Sequence, residues 1–174
     1  MPFPVTAYEI FSQLSPDDAH FILEELSAGN RDAYKSVVQL TATRRRLRAV
    51  FLEKKPRPAR HEWMRSVLAM KANEDVGLEL LQNWLLGQRR EMITSFLDDC
   101  GIAHENAILE TIPAEPEAAT LNAAIDGLLK NHPPLVGKVY LRVFQPEDEE
   151  TWPTLDRMIA EDPKLALKPI GEDA

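Results

Sequence analysis

The chain has 174 residues, 44% of them hydrophobic and 28% charged, with a formal net charge of −8. That is enough apolar material for a real core, and the length suits a single domain. No apolar stretch is long enough to span a bilayer, Met1–Val5 lacks the pattern of a secretory leader, and the lone Cys100 has no intrachain partner, so a cytoplasmic protein is expected.

A helical period dominates, and the expected fold is all-α: about eight helices in one domain, as a compact bundle or a short stack of helical hairpins. Thr6 caps a short helix over 6–14. Ser15-Pro16-Asp17-Asp18 opens a second, with a capping serine, proline at the first helical position and acids in the first turn; Gly29 closes it. Asn30 caps a long helix over 31–54, stopped by Pro56 and Pro58. A fourth helix covers 59–71. Asn73 starts a fifth whose apolar residues surround its axis, which places it mid-bundle. Arg89–Cys100 is helical, and Gly101-Ile102 reads as a stop with glycine in the left-handed conformation. Residues 102–116 form a loop, with a short ordered piece near Ile108–Ile112. Helices follow over 117–131, 134–145 and 151–161, and 163–174 is a polar tail that lies on the surface or frays. Trp63 and Trp84 are expected in the core and Trp152 half-exposed, beside the acidic run Glu147–Glu150.

The charge is unevenly spread. Residues 44–60 hold eight basic side chains and one acid, a local +7, so the rest of the chain carries −15. The candidate anion- or partner-binding residues are Arg44, Arg45, Arg48, Lys54, Lys55, Arg57 and Arg60. On a continuous helix, Val37, Leu40, Leu47 and Phe51 lie within about 40° of Ala33, and Arg44 lies at about 20° in the same stripe. Arg44 and Arg48 are therefore expected to be buried. A buried guanidinium needs carboxylates, with Glu24, Glu25, Asp98 and Asp99 as candidates, or an anionic ligand between helices. Arg46 points away from the stripe. Lys54 and Lys55 suit an exposed helix end.

Other constellations are weaker. His20 and Glu24 stand one helical turn apart and offer two metal ligands, but no further His or Cys sits at ligand spacing, so a surface contact is expected and no metal site. The loop His104-Glu105-Asn106 follows a helix stop and is read first as a turn. Cys100 beside Asp98 and Asp99 is a poor nucleophile. No cofactor fingerprint and no catalytic motif occur. The leading functional expectation is a non-enzymatic helical protein working through protein–protein contacts, with an acidic protein or a second copy as partner. One alternative is a nucleic-acid or phosphate binder through 44–60, which the net charge disfavours. Another is an enzyme whose site gathers scattered residues such as Arg44, His104 and Glu105.

Overall fold

The computed structural model describes residues 6–111, 113–144 and 152–167. Ten α-helices and no β-strand occur among them, and none of these helices is long and apolar enough to cross a membrane. The helices fall into two compact units, one comprising Thr6–Gln88 and the other built from Arg89 onward.

The first unit contains α1 (Ala7–Gln13), α2 (Pro16–Gly29), α3 (Arg31–Arg44), α4 (Ala49–Glu53), α5 (Arg57–Leu68) and α6 (Glu74–Gln88), with a 3-10 turn over Lys71–Asn73. Local sequence sets the helix starts. Ser15 Oγ accepts the Asp18 N–H at 3.1 Å, and Asn30 Oδ1 accepts that of Ala33 at 3.1 Å. Each such cap is worth about 1 kcal/mol. The start of α1 is closed from a distance: the Glu74 carboxylate accepts the N–H groups of Ala7 at 2.7 Å and Tyr8 at 2.8 Å. Charge-assisted bonds of this kind satisfy donors that the helix itself leaves open.

α2 packs against α3, α5 and α6, and α1 packs against α5 and α6. Ile10, Phe11, Ile22, Leu26, Met64 and Trp84 are fully buried between them. A Cβ on Gly77 would lie 3.2 Å from the Ala7 Cβ, so the absent side chain is what lets α1 and α6 approach so closely. Trp84 buries its indole by donating its N–H to Glu25 at 2.8 Å.

The second unit contains α7 (Arg90–Asp99), α8 (Ala118–Asn131), α9 (Pro134–Phe144) and α10 (Pro153–Glu161), then a 3-10 turn over Pro163–Leu165. α7 packs on α8, and α8 packs on α9. Its core is aromatic: Phe96 meets Tyr140 edge-on at 5.6 Å, and Phe144 meets Trp152 at 4.8 Å between ring centroids. The stop at Gly101 has both bonds of a Schellman motif, Ile102 N–H to Leu97 C=O at 2.9 Å and Gly101 N–H to Asp98 C=O at 3.0 Å, with Gly101 at φ +70°.

Four expectations change. The helix expected over 31–54 is two helices, α3 and α4, separated by a sharp turn at 45–48. Trp152 is 1% exposed because its indole N–H reaches the Pro113 carbonyl at 2.8 Å. Trp63 is half-buried instead of core. The tail is tied down at its start, where Leu165 and Leu167 are buried. Residues 168–174, the run Glu147–Glu150, Ile112 and Met1–Val5 lie outside the described residues.

Candidate functional site

The turn that breaks the long helix is a second Schellman motif. Leu47 N–H bonds to Ala42 C=O at 2.8 Å and Arg46 N–H to Thr43 C=O at 3.1 Å. Arg46 occupies the left-handed position, φ 56°, where glycine is the relaxed residue. The register of the apolar stripe is lost there. Arg44, the last residue of α3, and Arg48, beyond the turn, are both exposed, correcting the expectation that they are buried, and Arg44, Arg45, Arg46, Arg48 and Lys54 form no ion pair with any described carboxylate. Glu24 goes to Arg57, Glu25 to Trp84 and Asp98 to His104.

The basic segment then divides by what each side chain does. Arg60 closes the end of α4: its guanidinium donates to the carbonyls of Leu52 at 3.1 Å, Lys55 at 3.3 Å and Glu53. Arg57 Nε donates to Glu24 Oε1 at 2.5 Å and Nη2 to Ser27 Oγ at 3.0 Å. That bond first, and the attraction second, hold the Glu24 carboxyl below its ordinary range and push Arg57 up, although burial opposes both. Arg45 and Lys55 both sit over the Trp63 ring, at 4.4 Å and 4.0 Å from its centroid. Arg44 donates to Asn73 Oδ1 at 3.3 Å. Beside these cations, Leu47, Val50 and Phe51 are 39%, 46% and 56% exposed. The broken helix thus leaves three apolar side chains exposed in a segment dense in arginine, a combination of anchors and forks suited to partner recognition.

A second constellation lies between α2 and α5. His61, fully buried on α5, places its Nδ1 2.7 Å from His20 Nδ1 on α2 and its Nε2 2.7 Å from the Tyr34 hydroxyl on α3. Arg60 Nη1 donates to that hydroxyl at 3.3 Å. Two arrangements of protons satisfy these bonds: Tyr34 O–H donates to His61 Nε2 and His61 Nδ1–H to His20 Nδ1, or His20 Nδ1–H donates to His61 Nδ1 and His61 Nε2–H to the Tyr34 oxygen. Glu24 Oε1 lies 3.8 Å from both His20 Nε2 and His61 Nδ1. Burial, and then the neighbouring His20, pull His61 down to about 4, with Glu24 pulling the other way. His61 is neutral at pH 7. Sequence spacing yields only the His20–Glu24 turn. His61 and Tyr34 are 41 and 14 residues from His20, so only the packing of α2, α3 and α5 brings them together.

In the second unit, His104 Nε2 contacts Asp98 Oδ1 at 2.8 Å, and His104 Nδ1 accepts the Ala107 N–H at 3.2 Å. Both ring nitrogens are thereby engaged. Glu105 pairs with Ile108 in an isolated bridge, and Asn106 and Ala107 have φ of 51° and 70°. This loop is a tight turn pinned by a histidine. Cys100 is buried, and burial first, then Asp99, push its thiol up to about 11. Arg44 belongs to the first unit and His104 and Glu105 to the second. No family model, curated protein or solved structure matches the chain.

Proposed function

We propose that the protein is a non-enzymatic binding protein whose working surface is the exposed trio Leu47, Val50 and Phe51 with Arg44, Arg46, Arg48 and Lys54 of the same segment. Its occupant is an acidic, amphipathic segment of a protein partner. The observation that carries this is the exposed apolar trio set among cations that no described carboxylate neutralises. Leucine and phenylalanine side chains of a partner helix would dock on the trio, and carboxylates one turn away would meet the arginine forks. Nucleic acid fits less well, because two of the three apolar residues are aliphatic and offer no stacking face, and the chain as a whole is at −8.

The test is fluorescence anisotropy with a labelled helical peptide that alternates Glu with Leu and Phe one turn apart, alongside a single-stranded and a duplex oligonucleotide. The peptide is expected to bind, to weaken as salt is raised, and to lose about tenfold on Phe51→Ser or on joint reversal of Arg44, Arg46 and Arg48 to Glu. All four residues are exposed, so the variants should melt with the parent protein. Peptide binding indifferent to both changes, no peptide binding, or tighter binding of an oligonucleotide would each overturn the assignment.

A further inference from the structure

His20, Glu24 and His61 each offer one ligand atom, and these atoms lie within 4.8 Å of one another. We propose that they form a binding site for a divalent ion of the zinc class, with two imidazole nitrogens and one carboxylate oxygen as donors.

The argument begins with the backbone. His20 and Glu24 are one turn apart on α2, so their side chains leave the same face. α5 crosses that face and delivers His61 between them. Three donors from two helices fix a point in space far better than two from one surface helix. Tetrahedral zinc, with ligands at about 2.0–2.2 Å, separates its donors by roughly 3.3 Å. With His20 giving Nε2 and His61 giving Nδ1, Glu24 Oε1 stands 3.8 Å from each of the two nitrogens, and side-chain rotation closes the set. The 2.7 Å hydrogen bond between the two Nδ1 atoms must break so that His61 Nδ1 faces the ion, and His20, a third exposed at its side chain, can rotate to allow it while buried His61 stays. Nitrogen and oxygen donors in this mixture select zinc or cobalt over calcium or magnesium, which prefer oxygen alone. Three protein ligands leave a fourth position for water.

The surroundings supply what a ligating histidine needs on its far side. With an ion on His61 Nδ1, the ring carries its proton on Nε2 and donates it to Tyr34 Oη at the existing 2.7 Å. Arg60 braces the same hydroxyl. Such outer partners hold the tautomer and ring plane and are worth about 10–100-fold in affinity. Arg57 acts against the ion. Its Nε occupies Glu24 Oε1 at 2.5 Å, and that bond must loosen for the oxygen to ligate. The site is therefore one in which a guanidinium and a metal ion compete for one carboxylate. His104 and Asp98 lack this arrangement, since the Ala107 N–H engages the second ring nitrogen and no third donor joins them among the described residues.

The experiment is titration of the EDTA-treated full chain with zinc by calorimetry, and with cobalt by visible absorption, at neutral pH. One ion per chain is expected, with the cobalt bands of a four-coordinate site. His20→Ala and Glu24→Gln change part-exposed side chains on a helix whose core they do not fill, and each should abolish stoichiometric binding while circular dichroism shows an intact fold. Tyr34→Phe should weaken binding about tenfold. Arg57→Gln should strengthen it, a direction that merely structural damage would not produce. The proposal is overturned if neither metal gives a heat or a band, or if binding survives unchanged in His20→Ala and Glu24→Gln, which would place the ion elsewhere. A second, independent check is anomalous scattering from zinc-soaked crystals, with the peak expected between the α2 and α5 histidines.

Discussion

The two units use similar helices for opposite ends. In the second, Phe96, Tyr140, Phe144 and Trp152 form a run of ring contacts, and the polar loop residues are spent on turns and caps. The first admits chemistry into its interior: His61, Thr41 and Asn73 are buried there, three of the four buried polar or charged residues described. It also leaves Leu47, Val50 and Phe51 outside. A unit that buries histidine and exposes phenylalanine inverts the usual preference at both places, and such inversions mark where a fold serves something besides its own stability.

Four measurements break or sharpen that contrast. The largest effect is expected in the second unit, where Trp152→Ala empties an aromatic core and should cost about 3–5 kcal/mol in chemical denaturation. Arg44→Ala at the rim of the first unit should cost little by the same measure, because its guanidinium is exposed. A loss comparable with that of Trp152→Ala would erase the distinction between a sealing core and a presenting surface. Next is Tyr34→Phe, which leaves buried His61 Nε2 without its partner and should destabilise the metal-free protein by about 1–3 kcal/mol.

The third concerns pH and Cys100. Its folded value, raised to about 11 from an ordinary 9, means the thiol keeps its proton longer in the folded state. The associated stability is complete below pH 9 and is lost as pH rises through 11, amounting to about 2 kcal/mol by pH 11. Buried Tyr140, also raised, works in the same direction. Denaturation curves at pH 8 and pH 11 should show a decline that Cys100→Ala reduces; an unchanged decline would sever the link to the thiol. The smallest effects compare the two helix stops. A Cβ at Gly101 meets open space, so Gly101→Ala should cost only its backbone term, about 1 kcal/mol. Arg46→Gly should instead stabilise by about 0.5–1 kcal/mol and weaken the binding of acidic peptide.

Those two stops also explain how far the sequence could be read. The all-α class, the starts at Ser15 and Asn30 and the stop at Gly101 follow from residues whose backbone or side-chain chemistry permits little else. The stop at Arg46 is the same motif without its glycine, so nothing local announces it, and the helical wheel runs straight through. One unannounced turn takes Leu47, Arg48 and Phe51 out of the expected stripe and leaves Arg44 at an exposed helix end. The histidine constellation was hidden for a different reason. His20 and Glu24 share a turn and are legible as a pair, but His61 joins them through the packing of α5 on α2, which no periodicity encodes. The charge of Arg57 and Arg60 is legible in the sequence but its use is not: it acts internally, on Glu24 and on the carbonyls that end α4.

The Glu74 carboxylate that closes α1 also has a bearing on the order of events in synthesis. Its partners Ala7 and Tyr8 lie 67 and 66 residues earlier in the chain. A ribosome delivers α1 long before it delivers the group that completes its first turn, and α6, on which α1 packs, arrives at the same late moment. The opening helix is therefore a waiting segment, able to fray until the chain has emerged past Glu74. A nascent fragment ending before that residue should expose its N-terminal helix to proteases, and extension past α6 should protect it in a single step.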